Sequence, residues 1–547
     1  MSLPLMRHAH RDTIVVRGDA DRPVHARQWY EFPLGGGGAT ETWCYTDRLS
    51  YAAGDEVAVH GISTADRVDI GIVRCGKACA GIDTLAGVPA RWEKTPADAS
   101  VNGCRWPVLA GFTVDPRWLS GVYLLTVRPS GQPDDRQCAR HLFVVRPREP
   151  DPGRLLLITA DSTWHAYNDW GGSNHYEGIV DPLGDRFSPR LSRLRPFARG
   201  FVALPEDAPR TLPHRPPAIG APVSYDHMDW AWRNGYSKKY ASAGWASYER
   251  HFLQWAERRG YGVDVATQSD LHYRPEVLSG YRCAVIVGHD EYWSWEMRDT
   301  VEDFVVCGGC VARFAGNFFW QVRLKDDGQT QICHKYRVRE DDPVRNGPSP
   351  HLATGQWESP EVDRPGHGTF GLDGSRGVYA GWGGLAPRGP GGFTVFRPEH
   401  WALAGSGLGY GDVLGGQSRI FGYEVDGLDY RFEDGLPYPV PAATLPGDLE
   451  ILAMGFARLR EDGFGAPPEK LFVGDADARF VAGHVHGSPD PGTMARVDRG
   501  SGMIVRFSRD RGEVFNAGTT EWVAGLMRQD RSVEQVTRNV LDRFLAR

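Results

Sequence analysis

The residues with the clearest capacity for chemistry stand in one short run, Gly288-His289-Asp290-Glu291-Tyr292-Trp293. An imidazole, two carboxylic acids, a phenol and an indole are consecutive there. The run follows Cys283-Ala284-Val285-Ile286-Val287, whose apolar, β-branched character predicts a strand buried on both faces. A helix is predicted to begin at Ser294, a good N-cap residue. In open α/β sheets, ligands bind beyond the carboxyl ends of the strands, which is where this run lies. His289, Asp290 and Glu291 are therefore candidate catalytic residues, with proton transfer as their chemistry. The competing reading is a capped helix start, in which Asp290 and Glu291 favour the helix dipole.

Other segments reach the same edge. Ala160 to Ser173 follows the apolar stretch Leu155-Leu156-Leu157-Ile158-Thr159. Its Trp164, His165, Tyr167, Asn168 and Trp170 are candidate substrate contacts, or else a surface loop packed by its own aromatics. Asn317, after the predicted strand 310–314, and Thr519, after 512–516, can line the same crevice. Glu424 lies in Phe421 to Gly427, read as a strand. Glutamate is disfavoured inside strands, so it needs a partner there, an arginine or a metal. Tyr248 and His251 are one turn apart on a helix predicted from Trp245 to Arg259. His484-Val485-His486 has the spacing of two metal ligands on one strand face. Cys307-Gly308-Gly309-Cys310 is a CxxC without a second pair nearby, and a tight turn is its plainer reading. No GxSxG elbow, Walker loop, HExxH or well-placed GxGxxG is present, which removes the common serine hydrolase, nucleotide and zinc-protease classes.

These motifs need a scaffold, and 547 residues allow more than one domain. Residues 1–150 carry short alternating runs, such as Val68 to Val73 and Gly121 to Val127, and read as a β-sandwich. The linker is Arg146-Pro147-Arg148-Glu149-Pro150-Asp151-Pro152-Gly153. From 151 to 547 the pattern becomes strand–helix alternation, a doubly wound α/β domain. Within it, 325–500 reads as a large β-rich insertion, and the strand near Val514 should rejoin the sheet begun at Leu155. The fold class is thus α/β plus β. A net charge of −7 argues against a nucleic-acid binder. No apolar run is long enough to span a membrane. Nine scattered cysteines and no apolar signal segment suit a cytoplasmic protein.

Taken together, Gly288 to Ser294, Gly316-Asn317-Phe318-Phe319-Trp320-Gln321-Val322-Arg323, Gly422 to Gly427, Asn516 to Thr520 and the segment from Ala160 resemble the N,N-dimethylformamidase large-subunit family. The resemblance runs from about residue 150 to the end, and more weakly through the β-domain. It implies a β-sandwich followed by a domain similar to class I glutamine amidotransferases. It also implies a mononuclear iron held by two tyrosines and a glutamate, activating water to hydrolyse an amide. Carried over, Tyr292 matches one tyrosine and Glu424 the glutamate. The second tyrosine falls on the helix that carries Tyr248 and His251, where this sequence departs from the pattern. The chemistry is coherent: a phenol of pKa about 10 becomes a ligand near neutral pH only on a strongly Lewis-acidic ion, and hard oxygen donors suit Fe3+.

The expected function is therefore metal-dependent hydrolysis of a non-peptide C–N bond in a small amide or formamide, with iron as the cofactor and zinc on His251 and His289 as the alternative. Two other readings stand beside it. One is a lyase or cyclase on the same scaffold, favoured by the aromatics of the 160–173 segment. The other is a metal-free binding protein with a decayed site. The expected partner is a small-molecule substrate, with a homo-oligomer or a small partner subunit left open.

Overall fold

A nine-stranded sheet organises the chain. In the computed structural model its order is Val263–Thr267, Leu155–Thr159, Cys283–His289, Cys310–Gly316, Gly512–Asn516, Gly500–Arg509, Glu450–Ala457, Phe393–Val395 and Val413–Leu414. The residues described are 13–17, 21–35, 40–132, 138–178, 187–214, 225–377, 391–422, 424–457 and 476–547. The first five strands run parallel and the rest antiparallel. Every residue of Leu155–Thr159 and Cys283–His289 is buried, as uninterrupted apolar strands require. The helices Glu249–Arg258, Trp295–Val306 and Arg531–Ala546 pack against this parallel half. Ser294 caps the second of these by accepting from the Met297 amide at 3.2 Å.

The N-terminal region forms two antiparallel arrays. One orders Ser50–Tyr51, Ala139–Val145, Gly121–Pro129, Arg67–Cys75 and Ala80–Pro89, with only the first pair parallel. The other orders Thr42–Thr46, Glu56–Ser63 and Val108–Thr113. In Arg67–Cys75 the buried Val68, Ile70 and Ile72 alternate with more exposed residues. They share a core with Val57, Val59, Leu125 and Phe143. A second set of residues faces the large sheet. Trp43 and Trp106 pack edge-on against Trp170, at 5.8 and 5.7 Å between ring centroids. Ser50 donates to the Asp270 carboxylate at 2.7 Å.

Several local expectations change. The 160–173 segment opens with a helix, Asp161–Tyr167, and its aromatics are largely interior. Between residues 325 and 500, three strands extend the main sheet rather than folding apart from it. The strand near Glu424 covers only Val425–Gly427, so Glu424 sits just before it, and Tyr423 lies outside the described residues. His484 ends the helix Ala476–His484, so the pair with His486 has no strand spacing. Cys307 is exposed, Cys310 opens a buried strand, and the turn between them uses Gly308 at φ 108°. Among the described residues, no helix is long and apolar enough to cross a membrane.

The strand Gly512–Asn516 does join the sheet begun at Leu155, pairing with Cys310–Gly316 on one side and Gly500–Arg509 on the other. A chain ended after residue 499 loses both strands that connect the parallel and antiparallel halves. Such a fragment should aggregate, or lack a cooperative thermal transition by circular dichroism. A soluble, monodisperse fragment with a sharp transition would contradict this dependence.

Candidate active site

The site is assembled around a buried arginine. Arg313, in the middle of the strand Cys310–Gly316, has no exposed side-chain surface. Its guanidinium donates to both Asp290 oxygens at 2.8 and 2.5 Å, to Asp426 at 2.7 Å and to the Asn516 carbonyl oxygen at 3.1 Å. One side chain thus fixes three segments that come together from distant parts of the chain. Asp426 also accepts from the backbone amides of Asn317 and Phe318, at 2.7 and 3.3 Å. This holds Asn317 in a left-handed conformation at φ 64°.

Above this base the functional groups converge on Glu291. Tyr176 donates its hydroxyl to the Glu291 carboxylate, 3.0 and 3.1 Å from its two oxygens. Tyr167 is hydrogen-bonded to the same carboxylate. Its ring lies 4.6 Å from that of Tyr176 and 5.3 Å from that of His289. His289 Nε2 stands 3.3 Å from Glu291 and 3.0 Å from Glu424. Its Nδ1 is 2.6 Å from the Ser242 carbonyl, which fixes the ring. The Asn317 amide nitrogen approaches His289 Nε2 at 3.2 Å. On the other side, the Lys335 ammonium donates to the Tyr292 hydroxyl at 2.9 Å, and Tyr292 donates to Tyr176 at 3.1 Å. Lys335 also lies 3.6 Å from the centre of the Tyr176 ring.

Charge is balanced inside this cluster. Burial works against a charged His289, but Glu424 and Glu291 together outweigh it and hold the imidazolium well above its usual range. Burial pushes Glu291 up, yet His289, then Lys335 and Tyr167, bring it below the ordinary carboxylate range. Burial brings Lys335 down to about 8 against the pull of Glu291. Tyr176 and Tyr292 are held protonated, first by burial and then by the charge of Glu291.

The structure brings His289, Glu291, Tyr167, Asn317, Tyr292 and Glu424 into one neighbourhood. A run of contacts, Tyr292 to Tyr176 to Glu291 to His289 to Glu424, links the two expected metal ligands. Tyr248 and His251 turn elsewhere. Tyr248 packs beneath Gly288, where a Cβ would come within 2.4 Å of it, and its hydroxyl donates to the Ala241 carbonyl at 3.2 Å. His251 lines a separate cavity. Asp290 is engaged by Arg313. Trp164 donates to Glu249 at 3.1 Å, His165 packs on Phe197, Asn168 donates to the Pro196 carbonyl, and Trp170 is interior, so these four build the scaffold rather than a substrate wall. Thr519 donates to the Ile420 carbonyl at 2.6 Å and accepts from Gly422 at 3.0 Å, steadying the segment that carries Glu424. Tyr176 and Lys335 were not singled out by sequence reasoning. The available signals were the Gly-Gly-Ser-Asn-His-Tyr run at 171–176 and one lysine in a chain where lysine is scarce.

Residues 73–535 match the family model described as N,N-dimethylformamidase beta subunit-like, C-terminal. The chain belongs to this family. Similar proteins are the N,N-dimethylformamidase beta subunits of Paracoccus aminophilus and of an Alcaligenes species, each 25% identical over 322 residues. Those matches cover 54% of this chain and 36% of the relatives' own length, so the chain matches only about a third of each relative.

The dependence on Arg313 is testable. Arg313→Ala strands Asp290 and Asp426 in a dry interior. Breaking a buried pair by removing one partner costs about 3–5 kcal/mol. Chemical denaturation should show a loss of this order, and Arg313→Lys should recover only part of it, because an ammonium cannot reproduce the two-pronged contact with Asp290. A loss below about 1 kcal/mol, within the range of ordinary surface ion pairs, would contradict the anchoring role.

Proposed function

We propose that this chain hydrolyses the C–N bond of a small amide at the cluster around Glu291, with a mononuclear iron ion held by Tyr167, Tyr176 and Glu291. The observation that carries the reading is the convergence of one buried and one half-buried phenol and an imidazole on one buried carboxylate. Two phenol oxygens and a carboxylate are hard donors, the set ferric iron takes. Among the described residues no group of three or more His, Cys, Asp or Glu side chains is arranged for a metal, so the phenols are needed to complete a donor set. Tyr292 fits less well than Tyr167, because its oxygen already receives the Lys335 ammonium. When bound, the ion would supply Lewis acidity, polarising an amide carbonyl and making a neighbouring water more acidic.

The remaining residues have roles set by their positions. Glu424, beside His289, is the base that receives a proton from water, and His289 passes it towards the leaving amine. The Ser242 carbonyl keeps Nε2 of His289 aimed at the two carboxylates. The Asn317 amide and the Lys335 ammonium are donors placed to meet a developing negative charge. The names of the relatives support N,N-dimethylformamide and other formamides as first substrates to try, and support a place for this chain as one part of a larger assembly. We read residues 1–150 as a β-sandwich and 151–547 as an amidotransferase-like domain in a cytoplasmic enzyme.

Loading the purified chain with ferric iron should give about one ion per chain and a visible phenolate-to-iron absorption band. Tyr167→Phe and Tyr176→Phe should each weaken that band and reduce iron retention. Glu424→Gln should keep the band while amide hydrolysis falls by about 10²–10⁴-fold, the usual contribution of a general base. An iron-loaded chain without a band, or a Tyr176→Phe variant with band and turnover intact, would refute the assignment.

A further inference from the structure

The segment that gives His289 its backbone acceptor also walls a second cavity, of about 500 Å³. Ala241, Ala246 and Ser247 line one side of it, and the helix Glu249–Arg258 another. Arg250, Gln254 and Arg258 all line it, at a spacing of four residues, so one face of the helix is turned to the space. A volume of this size suits a small organic ligand.

The charges around the space are unevenly matched. Arg210 is paired with Glu521 at 2.9 Å, and Arg259 with Glu534 at 2.5 Å. Arg250 and Arg258 have no ion pair among the described residues. Glu206 acts on Arg250 electrostatically but forms no ion pair with it, and is itself exposed. The Nε of Arg250 is buried without a hydrogen-bond partner. Arg250 and Arg258 are thus the cations on this wall left for an anion entering the cavity to neutralise. His251, kept neutral by burial and then by Arg250 and Arg210, can hydrogen-bond there without adding charge.

We propose that this cavity binds a compact oxyanion, a carboxylate or phosphate group on a small molecule, with Arg250 and Arg258 as its principal contacts. Guanidinium groups match both chemistries through paired N–H donors. The site is separate from the Glu291 cluster but mechanically joined to it. The same helix is preceded by Tyr248, packed beneath Gly288. It opens with Glu249, which accepts from the Ala160 amide at 3.0 Å and from Trp164 at 3.1 Å, at the start of the helix that carries Tyr167. An occupant therefore bears on the supports of both His289 and Tyr167.

The proposal does not depend on the chemistry at Glu291, and its test needs no turnover. Inorganic phosphate and citrate are titrated separately into the full chain, with binding read by calorimetry and by thermal unfolding. At least one should bind and raise Tm. Citrate alone points to a carboxylate ligand, phosphate alone to a phosphate ester, and both to either source. Arg258→Gln, at an exposed position that folding tolerates, should weaken binding about tenfold, the loss of one charge-assisted contact. Arg250→Gln with Arg258→Gln should abolish it, while Tyr292→Phe leaves it unchanged. Failure of both anions to bind at millimolar concentration, or binding that survives in the double variant, would overturn the proposal.

Discussion

A single buried cation decides where the reactive groups of this protein stand. Arg313 sits at the centre of a mostly apolar strand, where a charge is tolerated only if it is fully matched. It is matched twice, by Asp290 and Asp426, and further by Asn516. The first lies between His289 and Glu291, the second lies two residues beyond Glu424, and the third ends the strand that closes the parallel half of the sheet. None of these contacts touches the cluster around Glu291. Their effect is geometric: they convert four separate chain segments into one rigid floor. Such a site can be precise although Glu424 is 133 residues away from Glu291 in the chain.

The cluster on that floor is ordered as an alternation of charge. Lys335 meets Tyr292, Tyr292 meets Tyr176, Tyr176 meets Glu291, and His289 stands between Glu291 and Glu424. Two cations face two carboxylates, so the assembly is neutral although almost nothing in it is exposed. Neutrality of this kind makes each member depend on its neighbours, since a low dielectric magnifies any unmatched charge. It also explains why His289 and Glu291 move in opposite directions from their ordinary pKa values although both are equally dry.

Much of this was legible in the sequence, for specific reasons. The strands 155–159 and 283–289 announce themselves by continuous apolar character, and Ser294 by its capping chemistry. The positions of His289, Glu291 and Asn317 follow from strand ends, because an open parallel sheet sends its carboxyl edges to one side. What stayed hidden depends on rotation about helix axes and on long loops. His251 lies on the helix Glu249–Arg258 and Tyr248 just before it, and their side chains turn away from the site, with Tyr248 closely packed against Gly288. Tyr176 arrives from irregular chain and Lys335 from a single short 3-10 turn, neither of which a periodicity describes. Arg313 was visible as an arginine in the run Cys310 to Gly316, a residue type rarely buried without a partner, and that signal was not used.

The strand order also sets a schedule for the nascent chain. The parallel strands from 155 to 316 leave the ribosome early, ending on Cys310–Gly316. The partner of that strand is Gly512–Asn516, made only after nearly 200 further residues have been synthesised. Throughout that interval a fully buried strand presents an open row of amides and carbonyls, and Arg313 lacks Asn516 and, until residue 426 is made, Asp426 as well. Such an edge is a template for unwanted pairing. Production of this protein therefore rests on shielding one unfinished edge during translation, and slow synthesis or scarce chaperones would penalise yield well before they touched the stability of the finished molecule.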